Sequence, residues 1–286
     1  MSIPMNTLCI QCIANKHLEA ARALDESKSV AFGQDLLQIL KDALNGSNSA
    51  VVGSKINGLY QKHFGLGQDR FVQEKKDSNA FVKQRMHKIS ALVEQQKDPV
   101  FSALQFAILG NYLDFAALSG QVSFHKLDDM LADALKMQLD KNVYNQFCAD
   151  IAHGKKLLYI TDNAGEIGFD RILAEQLQKK YPHLQITFCV RGLPAHNDAT
   201  REDAAFMEIN WPIVDTGNDI GGVEISLLSP ESKMALDEAD VVIAKGMGNT
   251  ESMYGCQYNI YYAFLVKCKR FEEFFNKPHM HPMFIK

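Results

Sequence analysis

The stretch 157–170 joins a short apolar run to an abrupt polar stop. The run 157–160 has the length of a strand. It is followed closely by Asp162 and Asn163, whose side chains carry oxygen, and then by Gly165 and a helix-like pattern. A strand that leads into a helix in an open α/β sheet ends in this way, and ligands bind outside the carboxyl ends of such strands. The stretch therefore predicts an α/β sheet with a binding site at Asp162 and Asn163.

The same alternation of strands and helices continues towards the end of the chain. Strands are predicted at 157–160, 185–190, 212–214, 240–244 and 260–266, and helices at 166–180, 199–209 and 230–238. Helices of about ten residues between strands indicate right-handed βαβ crossovers and a mainly parallel sheet. We therefore expect a Rossmann-like, mostly parallel, three-layer α/β domain at residues 151–286.

The first half of the chain has a different pattern. Apolar residues recur there at three- and four-residue intervals, which is typical of helices. One long helix is predicted from about 69 to 94, and Asp98-Pro99 marks the start of another, with Asp as the cap and Pro at the first helical position. We expect a multihelical domain at residues 1–150, so that the whole chain belongs to the α/β class.

Composition narrows the class of protein. The 286 residues carry a formal net charge of −4 and contain no basic run, so there is no electrostatic case for a nucleic-acid partner. No apolar run approaches the roughly 18 residues of a membrane helix, and the first residues lack the pattern of a signal peptide. The six cysteines are unevenly spread and do not resemble a disulfide framework. We expect a soluble, cytoplasmic protein with no membrane partner; the oligomeric state stays open.

Polar residues also follow the other predicted strands. Asp198 lies after the second strand, and Lys245 follows the fourth strand among glycines. Because the carboxyl ends of parallel strands share one edge of a sheet, these residues are expected near Asp162 and Asn163. Two carboxylates and one carboxamide form an all-oxygen set that suits Mg²⁺ or Mn²⁺. Lys245 is placed like a phosphate-binding lysine.

Each of these residues also has a purely structural interpretation. Asp198 can cap the helix that follows it, the Asp-Asn pair at 162–163 can form an Asx turn, and Lys245 can be a surface charge. In the helical half, Cys9 and Cys12 form a C-x-x-C pair, but nothing completes a four-ligand zinc set. They are interpreted as two small buried residues on one helix face.

The motifs at the predicted strand ends resemble those of the damage-control phosphatases, the family also called domain of unknown function 89. They are Asp162-Asn163-Ala164-Gly165-Glu166, Asn197-Asp198-Ala199-Thr200 and Lys245-Gly246-Met247-Gly248-Asn249. In the helical half, Gly110-Asn111-x-x-Asp114-Phe115 and Lys75-x-x-Ser78-Asn79 also fit, and the C-x-x-C pair resembles the microbial stand-alone branch. The chain departs from the family at Arg70, where relatives often have Pro, and in a short, atypical tail after Val266.

The resemblance implies a metal-dependent phosphatase site between a helical domain and a Rossmann-like domain. It implies that Asp162, Asn163 and Asp198 hold a divalent metal, which is Mg²⁺, Mn²⁺, Co²⁺ or Ni²⁺ in the family. Lys245 is expected to bind phosphate, which makes Asp162, Asp198 and Lys245 the catalytic candidates. The candidate substrate-binding residues are Asn111, Asp114, Gly246, Asn249 and Glu166. Expected substrates are small phosphorylated metabolites, such as sugar phosphates and damaged or side-product phosphoesters.

Two alternatives come from other functional classes. One is a carboxyl methyltransferase that uses S-adenosylmethionine on the same type of sheet, although no G-x-G-x-x-G loop follows the first strand. The other is a non-catalytic protein that binds a metal or a phosphorylated metabolite.

Overall fold

The computed structural model describes residues 2–44, 46–67, 69–115, 118 and 122–286. Within these ranges the first half of the chain is helical, as predicted. Its α-helices are α1 (Thr7–Leu24), α2 (Glu26–Ala43), α3 (Ser49–Phe64), α4 (Val72–Glu94), α5 (Pro99–Gly110), α6 (Phe124–Asp133) and α7 (Lys141–His153). Asp98 caps α5 by accepting the Phe101 N–H, with Pro99 at the first helical position, which confirms the predicted start.

The second half alternates strands and helices. Its elements are β1 (Lys156–Ile160), α8 (Glu166–Lys180), β2 (Gln185–Val190), α9 (Arg201–Phe206), β3 (Ile213–Asp215), α10 (Pro230–Glu238), β4 (Val241–Lys245), α11 (Gly246–Met253), β5 (Ile260–Leu265), α12 (Lys269–Phe275) and β6 (Pro282–Ile285). The strand order is β3-β2-β1-β4-β5-β6, and only β6 runs antiparallel to its neighbour. The α/β class and the mostly parallel sheet are confirmed.

This order reverses direction between β1 and β4. In doubly wound sheets, ligands bind in the crevice outside the carboxyl ends of the strands at such a switch point. The strand order therefore directs attention to the residues that follow β1 and β4.

Three local predictions differ from the structure. The helix expected at 199–209 is shorter, Arg201–Phe206, because Thr200 has an extended backbone and occupies the cap position. No helix is predicted in the glycine-rich stretch after β4, but α11 begins there directly at Gly246. The tail adds the edge strand β6, which pairs with β5 and was not predicted.

Hydrophobic cores cover both faces of the sheet. On β1, Leu157 and Tyr159 belong to one core, and Leu158 and Ile160 belong to the other, as the two-residue period of a strand requires. The first core also contains residues of α4, α5 and α8, and the second contains residues of α10, α11 and α12. The sheet thus lies between two layers of helices.

The first core crosses the predicted domain boundary. It contains Phe106 of α5 together with Phe169 of α8, so the helical half packs directly on the α/β half. The division at residue 150 stays a prediction. Among the described helices, none is both long and apolar enough to span a membrane.

Candidate functional site

A cavity of about 430 Å³ opens where β1 and β4 end. Asp162 follows β1 and lies in its wall, as do Met247 and Gly248 at the start of α11. The opposite wall comes from the helical half, where Leu8 of α1 and Gly53 of α3 face the same space. The cavity therefore lies between the two halves of the chain and at the switch point of the sheet.

The two loops that carry the predicted metal ligands bind each other through their backbones. The Ala199 N–H donates to the Asp162 carbonyl at 2.7 Å, and the Ala164 N–H donates to the Asn197 carbonyl at 2.8 Å. Asp162 and Asp198 both line the cavity. The structure thus brings together two acids that are 36 positions apart in the sequence.

Hydrogen bonds and close packing fix the position of the Asp162 carboxylate. Its Oδ2 accepts hydrogen bonds from the side-chain amides of Asn111 and Asn163, both at 2.8 Å. Gly246 adjoins it with a φ of +80°, and a Cβ at Gly246 would lie 2.0 Å from Asp162 Oδ2. Gly246 is therefore required both by its own backbone conformation and by the space that Asp162 occupies.

Asp198 is oriented by a buried arginine that the sequence analysis did not select. Arg191 Nε donates to Asp198 Oδ2 at 2.6 Å, and Arg191 Nη2 donates to Asn249 Oδ1 at 2.9 Å. The alternative that Asp198 caps α9 is wrong, since Thr200 caps that helix.

Burial raises the pKa values of the two acids in the cavity wall. Burial, with Asp198 and Glu166 adding to its effect, raises the pKa of Asp162 well above its usual value. Burial also raises the pKa of Asp198 to about 6, although Arg191 acts in the opposite direction. The protein thus disfavours the ionised forms of both carboxyl groups at the cavity floor.

Lys245 does not lie in the cavity wall. It is fully buried, and its Nζ donates to the Ala107 carbonyl at 2.8 Å and to Glu166 Oε1 and Asp170 Oδ1, both at 2.7 Å. These three acceptors use the three N–H groups of the ammonium. Lys245 is therefore neither a surface charge nor, in this structure, a donor directed at a phosphate.

The pKa values of Lys245 and Asp170 in this cluster are both raised, the first by ion pairs and the second by burial. Burial alone lowers the pKa of Lys245, but Asp170 and Glu166 outweigh burial and raise it. Burial raises the pKa of Asp170 to about 7 against the effect of Lys245. Lys245 consequently stays charged and holds the start of α8 against α5.

Of the predicted substrate-binding residues, Asp114 lines the cavity. The others, Asn111, Glu166, Gly246 and Asn249, lie behind its wall. Asn111 uses its amide on Asp162 and Glu166 and accepts the Leu265 N–H, while Asn249 bonds to Arg191 and to backbone carbonyls. Their contacts position the acids rather than reach into the cavity.

The side-chain Oδ1 atoms of the predicted metal ligands differ in whether they already accept a hydrogen bond. Oδ1 of Asp162 and Oδ1 of Asp198 accept no hydrogen bond from the described part of the chain, whereas Asn163 Oδ1 accepts from Asn197 Nδ2 at 3.0 Å. Among the described residues, no group of three or more His, Cys, Asp or Glu side chains is arranged to hold a metal ion. A metal at this site would thus depend on two carboxylates and a carboxamide.

Sequence reasoning missed Lys267. This residue follows β5, its side chain is fully buried, and its Nζ donates to the Asn111 carbonyl at 2.8 Å and to Asp114 Oδ2 at 2.6 Å. It also lines the cavity. The tail after Val266 is atypical for the family, but the position of Lys267 directly after the predicted strand 260–266 is a signal in the sequence.

The C-x-x-C pair also lines the cavity. Cys9 is half-buried and Cys12 is exposed, so the interpretation as two buried residues is wrong. Burial raises the pKa of Cys9, which leaves that thiol protonated and poorly nucleophilic.

Known proteins resemble this chain over nearly its whole length. The family model described as the damage-control phosphatase ARMT1-like domain matches residues 5–280. An uncharacterized protein of Methanocaldococcus jannaschii is 31% identical over 279 residues, which cover 94% of this chain and 90% of that protein. A damage-control phosphatase of Pyrococcus horikoshii is 29% identical over 252 residues, or 86% of this chain and 84% of that protein.

A solved structure has the same fold. The crystal structure of a family 89 protein from Pyrococcus horikoshii superposes with a TM-score of 0.82 at 27% sequence identity and covers 100% of this chain and 99% of that one. A damage-control phosphatase of Archaeoglobus fulgidus is also 28% identical over 255 residues, which are 87% of each chain. The chain therefore belongs to the family of damage-control phosphatase ARMT1-like domains.

Proposed function

We propose that this protein is a metal-dependent phosphatase that hydrolyses phosphomonoesters of small metabolites in the cavity at the ends of β1 and β4. The damage-control phosphatase names of its relatives support the reaction class. A cavity of about 430 Å³ lies within the range of about 300–1,000 Å³ that is usual for small-molecule sites. Sugar phosphates and damaged or side-product phosphoesters are the proposed substrates.

The observation that carries the metal dependence is an imbalance of buried charge. Four buried carboxyl groups surround the site, those of Asp162, Glu166, Asp170 and Asp198, against three buried cations, Arg191, Lys245 and Lys267. Half-buried residues of the cavity wall add two acids, Asp114 and Glu251, and two cations, Lys16 and Arg270, so the excess of one negative charge remains. Buried charges need partners, so full ionisation of these acids calls for an additional positive charge.

The carboxylate oxygens in the cavity wall favour a hard cation. Asp162 and Asp198 both line the cavity, and the Oδ1 of each accepts no hydrogen bond from the described residues, although Arg191 Nη2 lies 3.8 Å from Asp162 Oδ1. Asn163 would supply a carboxamide oxygen in place of its bond to Asn197. All-oxygen donors suit Mg²⁺ or Mn²⁺, and Co²⁺ and Ni²⁺ are also proposed as occupants of the site. When bound, such an ion withdraws charge from a phosphoryl oxygen and lowers the pKa of a bound water.

The protein's own groups would hold the remaining phosphoryl oxygens. Lys267 presents the one fully buried ammonium in the described cavity wall. Met247 and Gly248, at the start of α11, adjoin the same space, and no side chain caps that helix. Helix N-termini bind anions through uncapped N–H groups. Lys245 would act behind the wall by fixing Glu166.

A phosphate-release assay tests the proposal. The purified protein, stripped with a chelator, is expected to hydrolyse an aryl phosphate and members of a metabolite-phosphate library only after a divalent metal is restored. Asp162→Asn and Asp198→Asn should each lower turnover by at least about 10²-fold, while the exposed Asp237→Asn serves as a matched control. Hydrolysis that survives chelation would refute the metal dependence. Metal binding without any phosphate release would instead identify a binding protein.

A further inference from the structure

Helix α4 contacts both loops that carry the candidate metal ligands. Asn79, buried on α4, accepts the Gly165 N–H on its Oδ1 at 2.7 Å, which fixes the loop after β1. Its Nδ2 donates to Asp203 Oδ1 at 2.7 Å, and Asp203 belongs to the segment after β2. A single side-chain amide therefore joins the loop after β1 to the start of α9.

Asp203 extends this connection to the second loop. Its Oδ2 accepts hydrogen bonds from the Thr200 N–H at 2.8 Å and the Thr200 hydroxyl at 2.9 Å. Thr200 is two positions from Asp198, so Asp203 fixes the backbone that presents that acid. Lys75, one turn before Asn79 on α4, contacts Asp203 Oδ2 at 2.9 Å and balances its charge.

The geometry requires an amide at position 79. The residue has to accept from Gly165 with one atom and donate to Asp203 with the other, which a carboxylate or an apolar side chain cannot do. Gly165 has a φ of +77°, and a Cβ there would lie 2.9 Å from Ser78 of α4. The loop thus approaches α4 closely at the point where Asn79 binds it.

We propose that Asn79 is a positioning residue for the metal site, which sets the distance between Asp162 and Asp198 through Gly165 and Asp203. The inference rests on the proposed metal-dependent function. Neither Asn79 nor Lys75 lines the cavity, so both act through the loops and without contact to substrate. Lys75 supports Asn79 by holding the Asp203 carboxylate in place.

The proposal predicts a defect in metal affinity. Residues that orient metal ligands typically affect metal affinity by about 10- to 100-fold. Asn79→Leu should therefore raise the Kd for Mn²⁺, measured by isothermal titration calorimetry on the full chain, by that factor. KM for an aryl phosphate at saturating Mn²⁺ should change by less than about threefold, because substrate contacts remain.

Two further variants keep the test decisive. Gln73→Leu makes the same chemical change at an exposed position of α4 and should leave the Kd unaltered. Lys75→Met keeps Asn79 and should weaken Mn²⁺ binding in the same direction but less, which provides a readout if Asn79→Leu does not fold.

The outcomes separate this inference from the proposed function. If the unaltered protein binds no Mn²⁺, the metal-dependent function itself fails, and the inference fails with it. If the unaltered protein binds Mn²⁺ and both variants at 75 and 79 bind it with the same Kd, only the positioning role of Asn79 is overturned. A drop in stability with an unchanged Kd has the same meaning, because a merely structural residue would behave in that way.

Discussion

Replacing Lys245 with methionine tests whether this lysine is a structural clamp, which holds α8 against α5, or a phosphate ligand. Methionine keeps the length and apolar stem of lysine but removes the ammonium that contacts Ala107, Glu166 and Asp170. If the structure describes the role of Lys245, the variant loses stability first. If Lys245 instead binds the phosphate, as its sequence position predicts, the variant loses substrate affinity with little change in stability.

The magnitude follows from the complete burial of the cluster. Removing one partner of a buried ion pair costs about 3–5 kcal/mol, because the remaining charge is left unpaired. Asp170 relieves part of this cost by binding a proton, since its pKa is already raised to about 7 in the intact protein. Loss of Lys245 raises that pKa further in the folded state only. The folded variant therefore binds more protons than its unfolded chain, and its deficit in unfolding free energy grows as pH rises.

Urea unfolding at pH 6 and pH 8 measures this deficit. We expect about 3–5 kcal/mol at pH 8 and a smaller loss at pH 6. Lys233→Met, at an exposed ion pair with Asp237, should cost less than about 1 kcal/mol at both pH values. A Lys245→Met protein within about 1 kcal/mol of the unaltered protein at pH 8, combined with a large rise in KM, would refute the clamp.

Three other substitutions test the site and its surroundings. Gly246→Ala should weaken Mn²⁺ binding by more than about tenfold in calorimetry, because the new Cβ would lie 2.0 Å from Asp162 Oδ2; Gly58→Ala, with open space around it, is the control. Lys267→Met should lower kcat/KM by about 10²-fold or more in the phosphate-release assay, with Mn²⁺ affinity retained. Burial raises the pKa of Glu251 from 4.5 to about 7, so its ionisation destabilises the folded state as pH rises. Glu251→Gln should therefore add up to about 3 kcal/mol of unfolding free energy at pH 8 and much less at pH 5; an equal effect at both would contradict this reasoning.

The arrangement of strands and helices was largely predictable because it depends on local periodicity. The bounds of α8, β2 and α10 agree with the predicted ranges, since each combines a regular apolar pattern with clear start signals. The helix at 246–253 was not predicted because glycines weaken a helix prediction. In the structure these glycines leave the space that the Asp162 carboxylate and the backbone of Gly221 occupy. Tertiary contacts overrode local propensity at that point.

The partners of the site residues depend on contacts distant in sequence. Lys245 contacts residues 75 and 138 positions away, and no local pattern identifies them. The side of the sheet to which Lys245 points could nevertheless be predicted from the sequence. Ile243 belongs to the core shared with α5 and α8, and Lys245 is two positions further along β4, so it points to the same buried side. The position of Lys245 at a strand end, taken alone, predicts that it faces the cavity.

The C-terminal end of α5 explains why the two lysines differ. Lys245 donates to the Ala107 carbonyl and Lys267 donates to the Asn111 carbonyl, so both cations lie at the negative end of the helix, where positive charge is stabilised. The two carbonyls are four residues apart, which corresponds to about 6 Å along a helix. The anchor of Lys245 lies inside the helix, whereas the anchor of Lys267 lies just past its end, and Lys267 itself lines the cavity. Because the same helix holds both ammonium groups at different depths, the loss of Lys245 should reduce mainly stability, and the loss of Lys267 should reduce mainly turnover.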